Sequence, residues 1–249
     1  MREFRPDGHV GFTMDMRVLC DHPTEETMMH KSKRLGVAAA ILAAVATLSA
    51  TAVSAQQQLS AYSQPRPGEK VLSFHANMVQ HGISITHGGT VGLGTFPPGI
   101  PLLSEPAIRN GLILNLKFAN AAGNLIGFGS ELEVFPEGQS PAVEQEVRWQ
   151  TGWAVVVPGR GMIFLEQIEH SGGLGPQVIQ KTKQSGMDWV GDWWITTTVG
   201  PLENGRGRIV GGTGEFADIR GEFVEIDHLT RFTVDGRMEL DLELRLFIK

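Results

Sequence analysis

Met238, Leu240, Leu242, Leu244, Leu246 and Ile248 take every second position at the C-terminus, and Glu239, Asp241, Glu243 and Arg245 fill most places between them. Side chains of an extended chain point alternately to opposite sides, so this stretch reads as a strand with one dry and one wet face. Asp235-Gly236 precedes it and separates it from another alternating run, which is a strong hairpin signal. The same short-strand rhythm covers 71–80, 111–119, 125–135, 146–157, 162–169, 189–199, 206–210, 215–226 and 228–234, and no ten-residue stretch carries a clear helical period. Many antiparallel strands without helices leave a sandwich or a closed barrel, and only the barrel removes exposed edges. The Gly- and Pro-rich segment 81–106 reads as a long loop, of the kind used as a lid or binding loop.

The front of the chain has a different grammar. His30, Lys31, Lys33 and Arg34 precede an apolar run over 35–48, and Val53-Ser54-Ala55 offers small residues for a peptidase. That is the pattern of a secretory signal, with a run of about 14 residues against the ~20 that a membrane-spanning helix needs. The expected organisation is an N-terminal extension over 1–27 from a start codon assigned too early, a signal over 28–55, a flexible arm over 56–69 and one barrel domain over 70–249. The expected location is secreted or periplasmic, with no stable membrane insertion after cleavage near Ala55.

Removing residues 1–55 takes away equal numbers of acidic and basic residues, so the remaining chain keeps the net charge of -6. An acidic chain is a poor partner for nucleic acid, which calls for a basic footprint. Cys20, the single cysteine, lies in the discarded leader, so the mature chain has no disulfide and no thiolate metal site. Roughly 190 residues then depend on their own core, which is enough for one domain.

Arg208-Ile209-Val210-Gly211-Gly212-Thr213-Gly214-Glu215-Phe216 and then Arg220-Gly221-Glu222-Phe223 pack glycines around one threonine. No Gly-Lys-Ser/Thr ending and no helical pattern follows, which speaks against a phosphate loop. Glycine allows a positive φ and close strand approach, as a barrel corner requires. This stretch, with Trp193-Trp194-Ile195-Thr196-Thr197-Thr198 before it, resembles the hallmark of dirigent proteins and allene oxide cyclase-like barrels. The resemblance is close over 189–249 and loose before that. It implies an eight-stranded antiparallel β-barrel, often trimeric, with an apolar lumen. It further implies steering or catalysis of cyclisation and coupling of hydrophobic, often oxygenated, small molecules without metal or redox cofactor. The chain departs from those families at Phe74-His75-Ala76-Asn77, where histidine replaces the expected acid, and Tyr62 is its only tyrosine.

Candidate chemistry rests on a few side chains. Glu166 is in phase with Met162, Phe164 and Ile168, and if that apolar face lines the lumen, Glu166 is a desolvated carboxylate suited to proton transfer. The plain alternatives are a subunit interface or an arginine pair. His75 and Asn77 share a strand face, as base and oxygen-holding group or as a solvent-facing pair. Arg220 matches the hallmark arginine and either stabilises a developing anion or forms a surface ion pair. Trp149, Trp153, Trp189 and Trp193 either wall an aromatic pocket or serve as ordinary core. His75, His81 and His87 recur at a wider spacing than familiar metal sites, so no metal is expected. The functional expectation is an exported, cofactor-independent barrel that binds a small hydrophobic or aromatic oxygenated molecule and promotes cyclisation, isomerisation or elimination. Glu166, His75 and Arg220 would be catalytic; Asn77, Trp149, Trp153 and Trp193 would bind substrate. The alternatives are a lipocalin-like carrier or a structural envelope barrel. A homo-oligomer, trimer or dimer, is expected.

Overall fold

The computed structural model describes residues 59–87, 90–91 and 111–249. The expected leader and most of the 81–106 loop lie outside these residues. The chain forms β1 (Lys70–Asn77), β2 (Gly82–His87), β3 (Thr90–Val91), β4 (Gly111–Ala119), β5 (Leu125–Val134), β6 (Arg148–Val157), β7 (Gly161–His170), β8 (Trp189–Thr196), β9 (Thr198–Gly200), β10 (Gly207–Gly212), β11 (Gly221–Phe232) and β12 (Met238–Ile248). Around the wall the order is β1, β4, β5, β6, β7, β10, β11, β12 and back to β1. This is a closed eight-stranded antiparallel β-barrel. His75 opposite Ala119 makes the closing contact.

Two wall positions are composite. β8 pairs with β11 and β9 with β7, ahead of β10 in the same slot. Thr197 joins them: its N–H donates to the Glu225 carbonyl and its carbonyl accepts from the His170 N–H, both at 3.0 Å. Residues 201–206 then leave the wall before β10 resumes. In the same way β1 and β2 both reach β4, on either side of the one-turn helix α1 (Met78–His81). β2 and β3 fall where the sequence suggests only loop, because the alternating Ile83-Ser84-Ile85-Thr86 lies inside the Gly-rich segment. A π-turn (Gly175–Ile179) and α2 (Gln180–Ser185) also depart from the strand-only reading; they are too short for a helical period to register. Among the described residues no helix is long and apolar enough to cross a membrane.

The hairpin at Asp235-Gly236 forms as the dipeptide predicts, with Gly236 at φ 85° and the Thr233 N–H donating to the Arg237 carbonyl at 2.9 Å. On β12, Leu240, Leu242, Leu244 and Leu246 face inward and are buried. They meet Phe74, Leu116, Phe118, Ile163, Leu165 and Phe223 in one core inside the barrel. Phe118 holds it together edge-on, 5.8 Å from the Phe74 ring and 5.7 Å from Trp153.

The glycine-rich stretch is a barrel corner. A Cβ at Gly212 would lie 2.4 Å from the Phe216 carbonyl oxygen and 2.7 Å from that of Met162, so only glycine lets β10 approach β7 there. Thr213 bonds across to β7: its N–H donates to the Met162 carbonyl (2.9 Å), and its hydroxyl accepts from the Met162 N–H (3.1 Å).

Outside the barrel, Leu59 and Tyr62 of the arm pack on Val224, Ile226 and Phe247. Arg206 fastens them. Its fully buried guanidinium donates to the Tyr62 carbonyl (2.7 Å), the Gln64 carbonyl (2.6 Å), Glu69 (3.0 and 3.1 Å) and Glu222 (3.1 Å), and lies 3.8 Å from the centre of the Phe247 ring.

Candidate functional site

Acidic side chains from β5, β7 and β11 also face into the lumen. Register selects them: Glu131 sits opposite Trp153, Glu133 opposite Thr151, Thr151 opposite Gln167, and Trp149 opposite Glu169. β11 adds Glu225 and Asp227 in the same inward phase as Phe223 and Leu229. Glu131, Glu169 and Glu225 are 2%, 1% and 3% exposed. The indole N–H of Trp149 donates to Glu169 (2.8 Å) and that of Trp153 to Glu225 (2.9 Å). The Gln167 amide donates to both Glu169 and Glu225, and its oxygen accepts from the Thr198 hydroxyl at 2.5 Å. Thr198 Oγ1 in turn accepts from the Glu225 N–H at 2.7 Å.

Burial drives these carboxyls toward their neutral form, and mutual repulsion adds to it. Desolvation, then the Glu225 charge, holds Glu131, Glu169 and Asp227 well above the ordinary carboxylate range and pushes Glu133 up to about 8. Glu225 is itself raised by desolvation, while its hydrogen bonds to Glu169, Gln167 and Trp153 pull it part of the way back. Among the described residues, four buried polar atoms that face the lumen have no hydrogen-bond partner: Glu131 Oε1, Thr151 Oγ1, Trp193 Nε1 and Asp227 Oδ1. Glu131, Glu133 and Glu169 each place one carboxylate oxygen within 4.8 Å of the other two, so this trio could hold a cation. A small molecule could stack on the Trp149, Trp153 and Trp193 walls.

The residues singled out from sequence divide into three places. Trp149, Trp153 and Trp193 are buried on the inner wall, beside the carboxyls. His75 and Asn77 lie on the outer face and line a cleft of about 400 Å³ with His81, Trp194, His228 and Asp241. There Asn77 donates to Asp241 (2.8 Å), and His228 stacks on Trp194 at 3.9 Å. Glu166 and Arg220 belong to neither place. Glu166 is on the outer face, half-exposed, with Arg208 at 3.6 Å. Arg220 is exposed and donates to the neighbouring Ile219 carbonyl (2.7 Å).

The lumen therefore takes the opposite phase of β7 from the one containing Glu166. Ile163, Leu165, Gln167 and Glu169 face inward, while Phe164 and Glu166 face out. The apolar outer phase carried the misleading signal. The acidic residues Glu131, Glu133, Glu169, Glu225 and Asp227 gave one cue in sequence: they alternate with apolar residues on three strands, so each strand had two readable faces.

No family model matches the chain, and no curated protein matches its sequence. Solved structures with a similar course include a nonspecific heme-binding cyclase that catalyses [4 + 2] cycloaddition during neoabyssomicin biosynthesis, at 10% identity and a TM-score of 0.33, covering 72% of this chain and 65% of that one. The Diels–Alderase AbmU from Streptomyces koyangensis aligns at 9% identity and a TM-score of 0.33, over 74% of this chain and 70% of its own. The chain thus spans just under two thirds of the first of these proteins. At this level of likeness neither neighbour bears on this chain's substrate, and the roles below come from its own geometry.

Proposed function

We propose that this chain binds a small, hydrophobic, oxygen-bearing molecule beside the acidic groups of its lumen and steers it through a cyclisation, isomerisation or elimination. That is the manner of the allene oxide cyclase and dirigent barrels its corner motif resembles. The observation that carries the reading is the set of four buried polar atoms without a partner among the described residues, Glu131 Oε1, Thr151 Oγ1, Trp193 Nε1 and Asp227 Oδ1, which line the lumen from β5 and β6 on one side and β8 and β11 on the other. Buried polar groups are nearly always paired in folded proteins, so groups left over call for a partner from outside the chain, and convergent polar groups in an apolar site are what fixes a small ligand. Phe118, Phe223, Leu244 and Leu246 are fully buried in the chain's own apolar core, so the ligand belongs beside the acidic groups. There the Trp193 N–H donates to a ligand oxygen, Thr151 and Glu131 meet its hydroxyls, and the indole faces hold its apolar frame. The proton-moving part that sequence phase assigned to Glu166 falls to Asp227, which is on the correct side of the wall.

Native mass spectrometry of the full chain, purified without denaturation, tests this. A retained molecule of fixed mass is expected, lost on Thr151→Val with Asp227→Asn and kept on Glu166→Gln. Absence of any adduct, together with tryptophan emission that ignores added Nile red, overturns the reading. Binding unaccompanied by turnover of the bound molecule makes the chain a carrier.

We further propose that copies meet through the outer face of β5. Phe128, Leu132 and Val134 there are exposed, and such contiguous apolar surface marks association sites. Export with cleavage after Ala55 is proposed from the leader alone, and N-terminal sequencing of the protein from its own host tests it.

A further inference from the structure

We infer that the acidic cluster in the lumen is a binding site for a hard divalent cation of the calcium type, held by one oxygen each from Glu131, Glu133 and Glu169 and by the Thr151 hydroxyl. Three observations carry this. First, the three carboxylate oxygens lie within 4.8 Å of one another. Calcium–oxygen bonds run roughly 2.3–2.6 Å, so oxygens at such separations suit one shared ion after small side-chain adjustments. Second, Thr151 is 3% exposed, its Oγ1 has no hydrogen-bond partner, and it stands directly between Glu133 on β5 and Gln167 on β7. Glu131 Oε1 is equally buried and equally without a partner. Third, Glu169 is already oriented. The Trp149 indole donates to one of its oxygens and the Gln167 amide to the other, the kind of outer support that fixes metal ligands.

The donor set selects the ion. It holds oxygen only, with no imidazole and no thiolate, which favours calcium, magnesium or manganese over zinc or copper. Magnesium keeps several waters and near-ideal octahedral geometry, whereas calcium accepts an irregular cage of protein oxygens like this one. Two positive charges among the clustered carboxyls also relieve the repulsion that burial makes severe. The proposed ligands are glutamates from two strands that meet only through β6, so no local sequence spacing marks them.

This inference concerns the lumen of the proposed function, shares Glu131 and Thr151 with it, and rests on that reading in taking the lumen to be reachable from solvent. Terbium luminescence tests it. Tb³⁺ replaces calcium, and a tryptophan nearby sensitises its emission; Trp149 is bonded to a proposed ligand. Full-length protein stripped with a chelator is titrated with Tb³⁺ under tryptophan excitation. The expected result is one saturable site per chain, reversed by calcium. Glu131→Gln and Glu169→Gln weaken it about 10-fold or more, in the range typical for lost ligands or their supports. Thr151→Val weakens it a few-fold, and Glu166→Gln on the outer face leaves it unchanged. Circular dichroism checks the fold of each variant; if the glutamine variants unfold, Thr151→Val decides the matter. No sensitised emission, or equal binding by wild type, Glu131→Gln and Thr151→Val, overturns the inference. A small-molecule adduct retained by protein that binds no Tb³⁺ sinks the cation alone. Tb³⁺ binding by protein that never takes a small molecule sinks the proposed function alone.

Discussion

Replacing Arg206 by methionine should cost this protein a large part of its stability. The side chain is fully buried, and its guanidinium satisfies the carbonyls of Tyr62 and Gln64 and the carboxylates of Glu69 and Glu222 at 2.6–3.1 Å. Methionine keeps most of the contact with Phe247 but donates nothing. It leaves Glu69, whose side chain is 6% exposed, with only the Arg66 N–H, and Glu222, at 13%, with the half-exposed Arg66 side chain and Asn204. Breaking a buried ion pair from one side costs about 3–5 kcal/mol. For a domain of this size about 1 kcal/mol moves the midpoint by roughly 2–4 °C, so a drop on the order of 10 °C follows. Urea unfolding followed by tryptophan emission measures it directly. The loss should also depend on pH in a defined direction. Burial works against the Glu69 charge, but the Arg66 N–H and Arg206 outweigh it and hold the carboxyl below its ordinary value. The Arg206–Glu69 contribution is therefore present above the unfolded carboxylate pKa and is lost as pH falls through the folded one. Wild type and Arg206→Met should converge in acid. A variant within about 1 kcal/mol of wild type at neutral pH, or a gap that widens in acid, would refute the account of this anchor.

The lumen carboxyls give the opposite pH slope. Their folded pKa values are raised, so in chelator the protein should lose stability as pH climbs from about 4.5 toward the region near 8 where Glu133 titrates, and Glu131→Gln should raise the midpoint at neutral pH and flatten that slope. Midpoints measured from pH 4 to 9 decide it, and identical slopes for the two proteins count against it. At the corner, Gly212→Ala should destabilise by roughly 1–3 kcal/mol, because its Cβ meets two carbonyl oxygens, while Gly211→Ala should be nearly neutral, since nothing lies within 4 Å of its Cβ. Chemical denaturation of the pair checks this, and equal losses would be inconsistent with the corner as described. On the outer face, Leu132→Lys should lower the oligomeric state read by light scattering; an unchanged mass places the association surface elsewhere.

What could be read in advance depended on whether a strand has one dry face or two. β12 was legible because Glu239, Asp241 and Glu243 label its outer side unmistakably. The Asp235-Gly236 turn and the glycine corner were legible because they are local and dictated by backbone sterics. β5, β7 and β11 were not legible in the same way. Their outward residues, such as Leu132, Phe164 and Val224, are as apolar as a core, while Glu131, Glu169 and Glu225 face in. Hydrophobic phase then favours the wrong side, and a change of one residue in phase exchanges every side chain between lumen and exterior. The site also joins positions 131, 151, 167 and 225, which only the pairing of β5, β6, β7 and β11 brings together. No local pattern carries that information.

Thr198 shows how thin this wall is. Its carbonyl accepts from the Tyr62 hydroxyl of the arm outside (2.9 Å), and its own hydroxyl donates to Gln167 within (2.5 Å). Gln167 in turn holds Glu169 and Glu225. A single residue therefore serves as both hinge pin and partition, and the arm and the acidic chamber are separated by one peptide unit. The exterior of this barrel is not insulated from its contents. A molecule that grips or lifts the arm presses on the same threonine that sets the orientation of the chamber's central amide.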